Sequence, residues 1–293
     1  MRRERDSGVS VVVPALNAAA VIRDQLEALT AQSHTGPMEI IIADNGSADG
    51  TRSIVQAWSK RDPRVRLIDA NRGRGANVAR NAGAHSAIGQ LLLFCDADDV
   101  VHPDWVAAMA AAAGVGEVLG GRLDDELLND ATVRSWRQVG AHNRLPIFAD
   151  FLPFAMTANM AVHSSVFHDL GGFDESYPHG CDDVDFCWRA QLEGFRLSYV
   201  PDAIVFYRLR TQLRSLVRQS YDYGRWTPAL FRRFGEHGMP RSGARQGLGA
   251  WRALVRSAPR MWRHRGERGV WAAMAARRVG RLVGSARERT LYL

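Results

Sequence analysis

Four short apolar runs, separated by amphipathic stretches of helical length, fill the first 123 residues and restrict the fold more than any other feature. Val9–Pro14 reads as a strand, and Ala19–Gln32 follows as a helix with Val21, Ile22, Leu26 and Leu29 on one stripe. Glu39–Ala43 is a second strand, and the turn Ser47-Ala-Asp-Gly-Thr51 caps a helix through Lys60. Val65–Asp69 and Leu91–Cys95 read as third and fourth strands on either side of a helix at Ala76–Ser86, and Pro103 opens an Ala-rich helix. Apolar strands joined by helices imply an α/β domain with a mostly parallel sheet covered on both faces. Ligands bind such sheets at the carboxyl ends of the strands, where the polar clusters of this chain fall.

Further on the rhythm loosens. Glu126–Pro153 reads as an irregular loop that orders on a substrate, Asp182–Glu193 as a helix, Arg196–Val200 as a strand and Thr211–Tyr223 as a helix. The expected organisation is 1–125 and 126–210 as two halves of one domain, followed by a helical basic extension over 211–293. Charge supports that division. The 293 residues carry a net +7, yet the segment from Arg241 onward holds 13 arginines and two acids, which leaves the remainder at −4. An acidic body with a basic tail offers no continuous basic groove, so nucleic acid is not an expected partner. No stretch approaches the roughly 18 apolar residues of a membrane span. Cys95, Cys181 and Cys187 fit neither a zinc spacing nor a CxxC pair, and read as reduced thiols of a cytoplasmic protein.

Four clusters carry chemistry. Pro14-Ala15-Leu16-Asn17 ends the first strand and Asp44-Asn45-Gly46-Ser47 the second. An acid there accepts hydrogen bonds from a base N–H or a ribose hydroxyl, although the same tetrapeptide also reads as a plain Asn-Gly turn. Asn71-Arg72-Gly73-Arg74-Gly75-Ala76 leads into Ala79-Arg80-Asn81-Ala82-Gly83, and arginines beside glycines at a helix start suit a diphosphate. The strand Leu91–Cys95 delivers Asp96-Ala97-Asp98-Asp99. Three carboxylates in four residues repel one another unless a cation compensates, and a hard divalent ion (Mg²⁺ or Mn²⁺) sharing diphosphate oxygens is the natural one. The bland alternative is an acid cluster ahead of the Pro103 helix. In His179-Gly-Cys-Asp182-Asp183-Val-Asp185-Phe-Cys-Trp-Arg189, helix polarity and an Asp185–Arg189 pair account for some of the acids. One carboxylate remains available as a general base.

The ordered set resembles the family 2 glycosyltransferases, which have the Rossmann-like GT-A fold. The matching segments are Val-Val-Pro-Ala-Leu-Asn, Asp44-Asn-Gly-Ser, Ala-Arg-Asn-Ala-Gly, the Asp96-Ala-Asp98 "DxD", Gly171-Gly172-Phe173-Asp174-Glu175 and Asp182-Asp183-Val-Asp185-Phe, spanning residues 9–208. The resemblance implies a nucleotide-sugar donor held by 1–125 and an acceptor and base held by 126–210. By the same token Pro14, Ala15, Asn17, Asp44 and Asn45 belong to the nucleotide site, Arg80 to the donor phosphates, Asp96 to the ribose or sugar, and Asp98 to the metal. Asp183 matches the base of inverting members and Asp182 the usual Glu before it. Members often carry a His after the next strand; here Pro201-Asp-Ala-Ile-Val-Phe206-Tyr207-Arg208 has none. Two rivals stand beside this reading. A sugar-phosphate nucleotidyltransferase would need basic residues after the first strand, and none precedes Arg23. A non-catalytic glycan-binding or scaffold protein on the same fold would not need Asp98 and Asp183.

In residues 243–293, Leu248, Trp251, Leu254, Val255, Ala258, Met261 and Trp262 recur at helical spacing between arginines, and Trp271, Met274, Ala275, Leu282 and Val283 form a second stripe. Basic amphipathic helices suit an anionic membrane surface; packing on the catalytic body is the alternative. The expected acceptor is a glycan or lipid-linked hydroxyl, met in the cytoplasm or at the inner face of the cell membrane.

Overall fold

The computed structural model describes residues 8–137, 143–178, 180–262 and 265–293. In chain order the elements are β1 (Val9–Ala15), α1 (Ile22–Thr30), β2 (Met38–Asp44), α2 (Thr51–Arg61), β3 (Val65–Asp69), α3 (Ala76–Ser86), β4 (Leu91–Phe94), β5 (Val100–Val101), α4 (Trp105–Ala111), β6 (Val118–Asp124) and α5 (Ala131–Trp136). They continue with β7 (Met160–His163), α6 (Ser164–Asp169), α7 (Asp182–Leu192), β8 (Leu197–Phe206), α8 (Leu213–Phe234), α9 (Ala244–Ser257) and α10 (Arg265–Arg287).

One eight-stranded sheet runs β3-β2-β1-β4-β7-β6-β8-β5. β3, β2, β1 and β4 are mutually parallel, as the alternation of strands and helices requires, and β8 lies parallel to β6. β7 is antiparallel to both β4 and β6, and β5 to β8. Alternate residues feed two cores because side chains of a strand point to opposite faces. Val11, Val13, Ile40, Ile42 and Leu93 fill one core, and Val12, Ile41, Leu92 and Phe94 the other. Cys95, Cys181 and Cys187 are buried and free.

The expected third strand and the α3 helix stand with the bounds read from the sequence; other elements differ. α1 is shorter than Ala19–Gln32, because residues 17–19 are tied to the 47–51 turn. The Glu126–Pro153 segment contains α5 and a bridge between Ile147 and Pro153, with residues 138–142 outside the described set. β8 continues six residues past Val200, paired with β6 across a bulge. α8 continues to Phe234 despite Pro228. The sequence pattern predicts neither β6 nor β7.

The C-terminal residues lie on the body. α10 packs along α8 at backbone contact: a Cβ at Gly224, Gly280 or Gly284 would overlap the carbonyl oxygens of Arg277, Tyr221 or Arg225 respectively. Trp271 Nε1 donates to the Leu254 carbonyl at 2.9 Å, joining α10 to α9. Tyr292 is buried with Trp188, Trp226, Leu230 and Phe234, which unites α7, α8 and the end of the chain in a third core. The side chain of Trp262 lies outside the described residues. Among the described residues, no helix is long and apolar enough to cross a membrane.

Candidate active site

The predicted site residues gather at the carboxyl ends of β1, β2 and β4 and at the start of α7. Asp44, last residue of β2, is fully buried. Its Oδ2 accepts from the Ser47 and Gly46 N–H groups and from Arg52 at 2.8 Å, while Oδ1 is buried without a partner. Burial opposes ionisation of Asp44, and the Ser47 and Arg52 hydrogen bonds outweigh it, holding the carboxyl below its usual range. Asn17, at φ 51°, accepts the Ala48 N–H at 2.9 Å, so the loops after β1 and β2 form one rim beside Pro14 and Ala15. Asn45 has a different employment. Its amide donates to the Ala70 and Gly73 carbonyls, and its Oδ1 accepts the Gly75 N–H, so it brackets the Gly-rich loop from within.

Arg80 lies deeper than a phosphate-facing arginine of the rim would. It is 5% exposed and spans two acid clusters, with Nη2 2.8 Å from Asp96 and Nη1 3.0 Å from Asp182. Asn77 supports it at 3.1 Å and itself donates to the Tyr177 carbonyl. Asn81 pairs both ways with Phe173 through its amide, so the Ala-Arg-Asn-Ala-Gly and Gly-Gly-Phe-Asp-Glu motifs are two sides of one joint.

Ligand oxygens of Asp96, Asp98 and Asp99 lie within 4.8 Å of one another. Burial and then its neighbours' charges push Asp99 well above the usual carboxylate range, and Asp98 is raised by burial and by Asp96. Asp99 Oδ1 accepts the Arg208 N–H at 2.7 Å, while Oδ2 is buried without a partner. Crowded oxygens and an orphaned buried acceptor are what a hard divalent cation would satisfy. Past β8, where a His was sought in the sequence, two arginines approach. The Arg208 guanidinium donates to the Asp98 carbonyl at 2.7 Å, and Arg210 to the Asp98 carboxylate at 3.0 Å.

Asp182 and Asp183 open α7 behind Cys181, which holds a left-handed φ of 67°. His179 lies outside the described residues. Asp182 is committed to Arg80, whereas Asp183 makes no ion pair with a described residue, and its Oδ1 accepts only the adjacent Val184 N–H. Burial, then the charge of Asp182, pushes the Asp183 carboxyl up to about 7. Asp185 turns the other way: it binds Arg189 at 2.8 Å, as the i,i+4 spacing implied, and Arg233 at 2.7 Å. A cavity of about 400 Å³ on that side, lined by Asp174, Tyr177, Trp226 and Arg233 among others, includes none of the strand-end acids.

Four further residues lie near these acids and were not singled out from the sequence as a site. Tyr207 stands in the electrostatic reach of Asp96, Asp99 and Arg137. Arg137 and Arg277 both approach the ring of Tyr223, at 5.4 and 5.7 Å, and that ring abuts Gly180 just before the acids of α7. Their separation in sequence leaves no local signal; only the position of Tyr207, beside the sought His, pointed here.

The family model described as Glycosyl transferase family 2 matches residues 10–171, and that described as Glycosyl transferase family group 2 matches residues 91–262. Glycosyltransferase AglE of Haloferax volcanii is 28% identical over 199 residues, 67% of this chain and 65% of that protein. The succinoglycan biosynthesis protein ExoO of Rhizobium meliloti is 36% identical over 221 residues, 69% of this chain and 61% of that protein. The chain thus spans less than two thirds of the length of these relatives. Among solved structures, a mannosyltransferase from Pyrobaculum calidifontis in complex with GDP-Man and Mn²⁺ matches with a TM-score of 0.64 at 19% identity, over 96% of this chain and 88% of that one. GalNAc-T7 with UDP, GalNAc and Mn²⁺ matches at 0.56 and 18%, over 76% of this chain and 48% of that one. At these identities the structural likeness establishes a shared fold.

Proposed function

This chain belongs to glycosyl transferase family 2, has the GT-A fold and is a glycosyltransferase; from that premise we propose that it is an inverting enzyme moving a sugar from a nucleotide-diphosphate sugar to an acceptor hydroxyl of a cell-envelope or lipid-linked glycan. The observation that carries this reading is Asp183, an acid in the first turn of α7 that makes no ion pair with a described residue and is raised to about 7. A general base works best with a pKa near the working pH, and a hydroxyl acceptor needs one where a phosphate acceptor would not. Asp183 takes the hydroxyl proton as the oxygen attacks the anomeric carbon. The bond from that carbon to the diphosphate breaks, its electron pair leaving with the nucleoside diphosphate, and configuration inverts.

The other residues hold and orient. Asp44, with its unpartnered Oδ1, receives a base or ribose donor beside Pro14, Ala15 and Asn17, and Asn45 fixes the loop next to them. Arg80 pairs with both Asp96 and Asp182 and holds the two acids in register. Asp98, beside Asp96, is the ligand for a divalent ion, Mn²⁺ or Mg²⁺, which when bound supplies positive charge to the leaving diphosphate. Bound Mn²⁺ in the mannosyltransferase and in GalNAc-T7 supports a metal of this kind.

The name of ExoO supports an envelope polysaccharide as product, and the outer surface of the tail supports work at a membrane. Val279, Leu282 and Val283 are exposed on α10, and Leu248 and Val255 are exposed on α9. In a segment whose sequence carries thirteen arginines from Arg241 onward, these side chains suit the anionic inner face of a cell membrane.

Thermal unfolding with UDP-, GDP- and dTDP-sugars, each with Mn²⁺ or Mg²⁺, tests the reading. The true donor raises the midpoint through binding linkage and is slowly hydrolysed. If no nucleotide sugar does either with any of these metals, the proposal falls.

A further inference from the structure

Most arginines near the acids of β4 and α7 meet carboxylates. Arg80 has Asp96 and Asp182, Arg189 has Asp185, Arg233 has Asp174 and Asp185, and Arg210 has Asp98. Arg137 and Arg277 break the pattern. Arg137, just past α5, donates to Gln219 Oε1 at 2.7 Å and lies against Tyr207 and Tyr223; Arg277, on α10, faces the same Tyr223 ring. Neither makes an ion pair with any described residue. Arg281, one turn along α10, packs over Tyr292 and leaves a buried Nε without a partner. Burial, then Arg281 and Arg137, make the Arg277 guanidinium easier to deprotonate than usual. Several guanidinium groups brought together and partly desolvated without a counter-ion are costly, and an arriving anion removes that cost.

Position narrows what the anion is. Tyr207 is in electrostatic reach of Arg137 and of Asp96 and Asp99, the strand-end acids that the proposed function gives to the donor and where Arg210 already meets Asp98. On the other side, Tyr223 abuts Gly180, and the charge of Arg277 is felt at Cys181, directly before Asp182 and Asp183. The pair therefore flanks the base. The same α10 that turns Arg277 inward presents Val279, Leu282 and Val283 to the outside.

We propose that Arg137 and Arg277, set around Tyr223, form a second anion subsite that binds the phosphate or diphosphate of the acceptor. This rests on the glycosyl-transfer reading above and names its acceptor as a phosphate-linked glycan, the sugar hydroxyl reaching Asp183 while the phosphate is held by the two arginines.

Calorimetric titration of the full chain with geranyl diphosphate, with the donor site saturated by Mn²⁺ and the best-binding nucleoside diphosphate, tests it. Arg137→Gln and Arg277→Gln are each expected to weaken geranyl diphosphate about tenfold or more, the loss of a charge-assisted hydrogen bond. Arg277→Lys, which keeps charge but loses the fork, should fall between. Lys60→Gln, exposed near the end of α2, should change nothing. Nucleoside diphosphate affinity should stay near wild type in all four. If Arg277→Gln fails to fold, Arg137→Gln decides alone. A parallel loss of nucleoside diphosphate affinity would assign the arginines to the donor and overturn the proposal, as would unchanged geranyl diphosphate binding. Wild-type protein that bound geranyl diphosphate but no nucleotide would sink the glycosyl-transfer reading and leave the anion subsite standing.

Discussion

Replacing Asp183 by Asn is expected to inactivate the protein and stabilise it, by an amount that depends on pH. In the folded chain the carboxyl is raised from 3.8 to about 7. Between those values the unfolded chain has released its proton and the folded chain retains it, so wild-type stability falls as pH rises, by about 1.4 kcal/mol per unit. From pH 5 to pH 8 only the two units below 7 count, so wild type loses about 3 kcal/mol that an amide does not lose. For a chain of this size the gap between the midpoints of the Asp183→Asn variant and wild type should therefore widen by roughly 5–10 °C over that range. Below pH 4 the titration advantage disappears. Turnover should drop about 10²- to 10⁴-fold with donor affinity preserved, and wild-type rate should climb with pH up to about 7 and then level. Calorimetry at pH 5 and 8, paired with donor titrations, reads all of this. A midpoint difference that is the same at both pH values would mean that Asp183 does not carry the raised pKa, and the base assignment would lose its physical ground.

Three other outcomes follow from the geometry. Asp98→Ala is expected to abolish the Mn²⁺-dependent rise in melting temperature produced by nucleotide while leaving the unliganded midpoint level or higher, since one of three crowded acids is gone; retained metal dependence would remove Asp98 from the ligand set. Arg80→Gln strands Asp96 and Asp182 without their shared cation and should cost about 3–5 kcal/mol in urea unfolding; a loss under 1 kcal/mol would show that solvent already screens both acids. Leu282→Glu with Val283→Glu should weaken sedimentation with anionic liposomes by roughly 30-fold, the loss of two half-buried apolar contacts, with the melting temperature unmoved because both side chains are exposed. Equal binding by this variant and wild type would sink the membrane reading.

The first half of the fold was legible because its strands are apolar on both faces and its helices carry a clean stripe, so period alone separates them. β6 and β7 escaped for physical reasons. Gly120 and Gly121 interrupt β6 because Ala155 and Asn159 crowd its backbone, and a four-residue strand such as β7 has no measurable period. α8 runs past the expected end at Tyr223 and through Pro228, held on both sides of it by Trp226, Leu230 and Phe234 in the third core. The acids of the site were visible because each ends a strand or opens a helix. Their partners were not: Arg210, Arg137 and Arg277 acquire meaning only when β8, α5 and α10 converge, and Asn45 looked like a ligand residue although its amide braces a loop.

Arg80 has a consequence that lies in thermodynamic linkage. One guanidinium holds an acid of the β4 end and an acid of the α7 start, 86 residues apart in sequence and joined by no other cation among the described residues. Anything that alters the charge balance at Asp96 alters the share of Arg80 left to Asp182, and Asp182 is the charged group that most raises its neighbour Asp183. Occupancy at one end of the cleft and proton affinity at the other are therefore conjugate quantities. Reciprocity then holds in both directions: filling the strand-end site shifts the titration of Asp183, and a change of pH that charges Asp183 shifts the affinity of the strand-end site by the same factor.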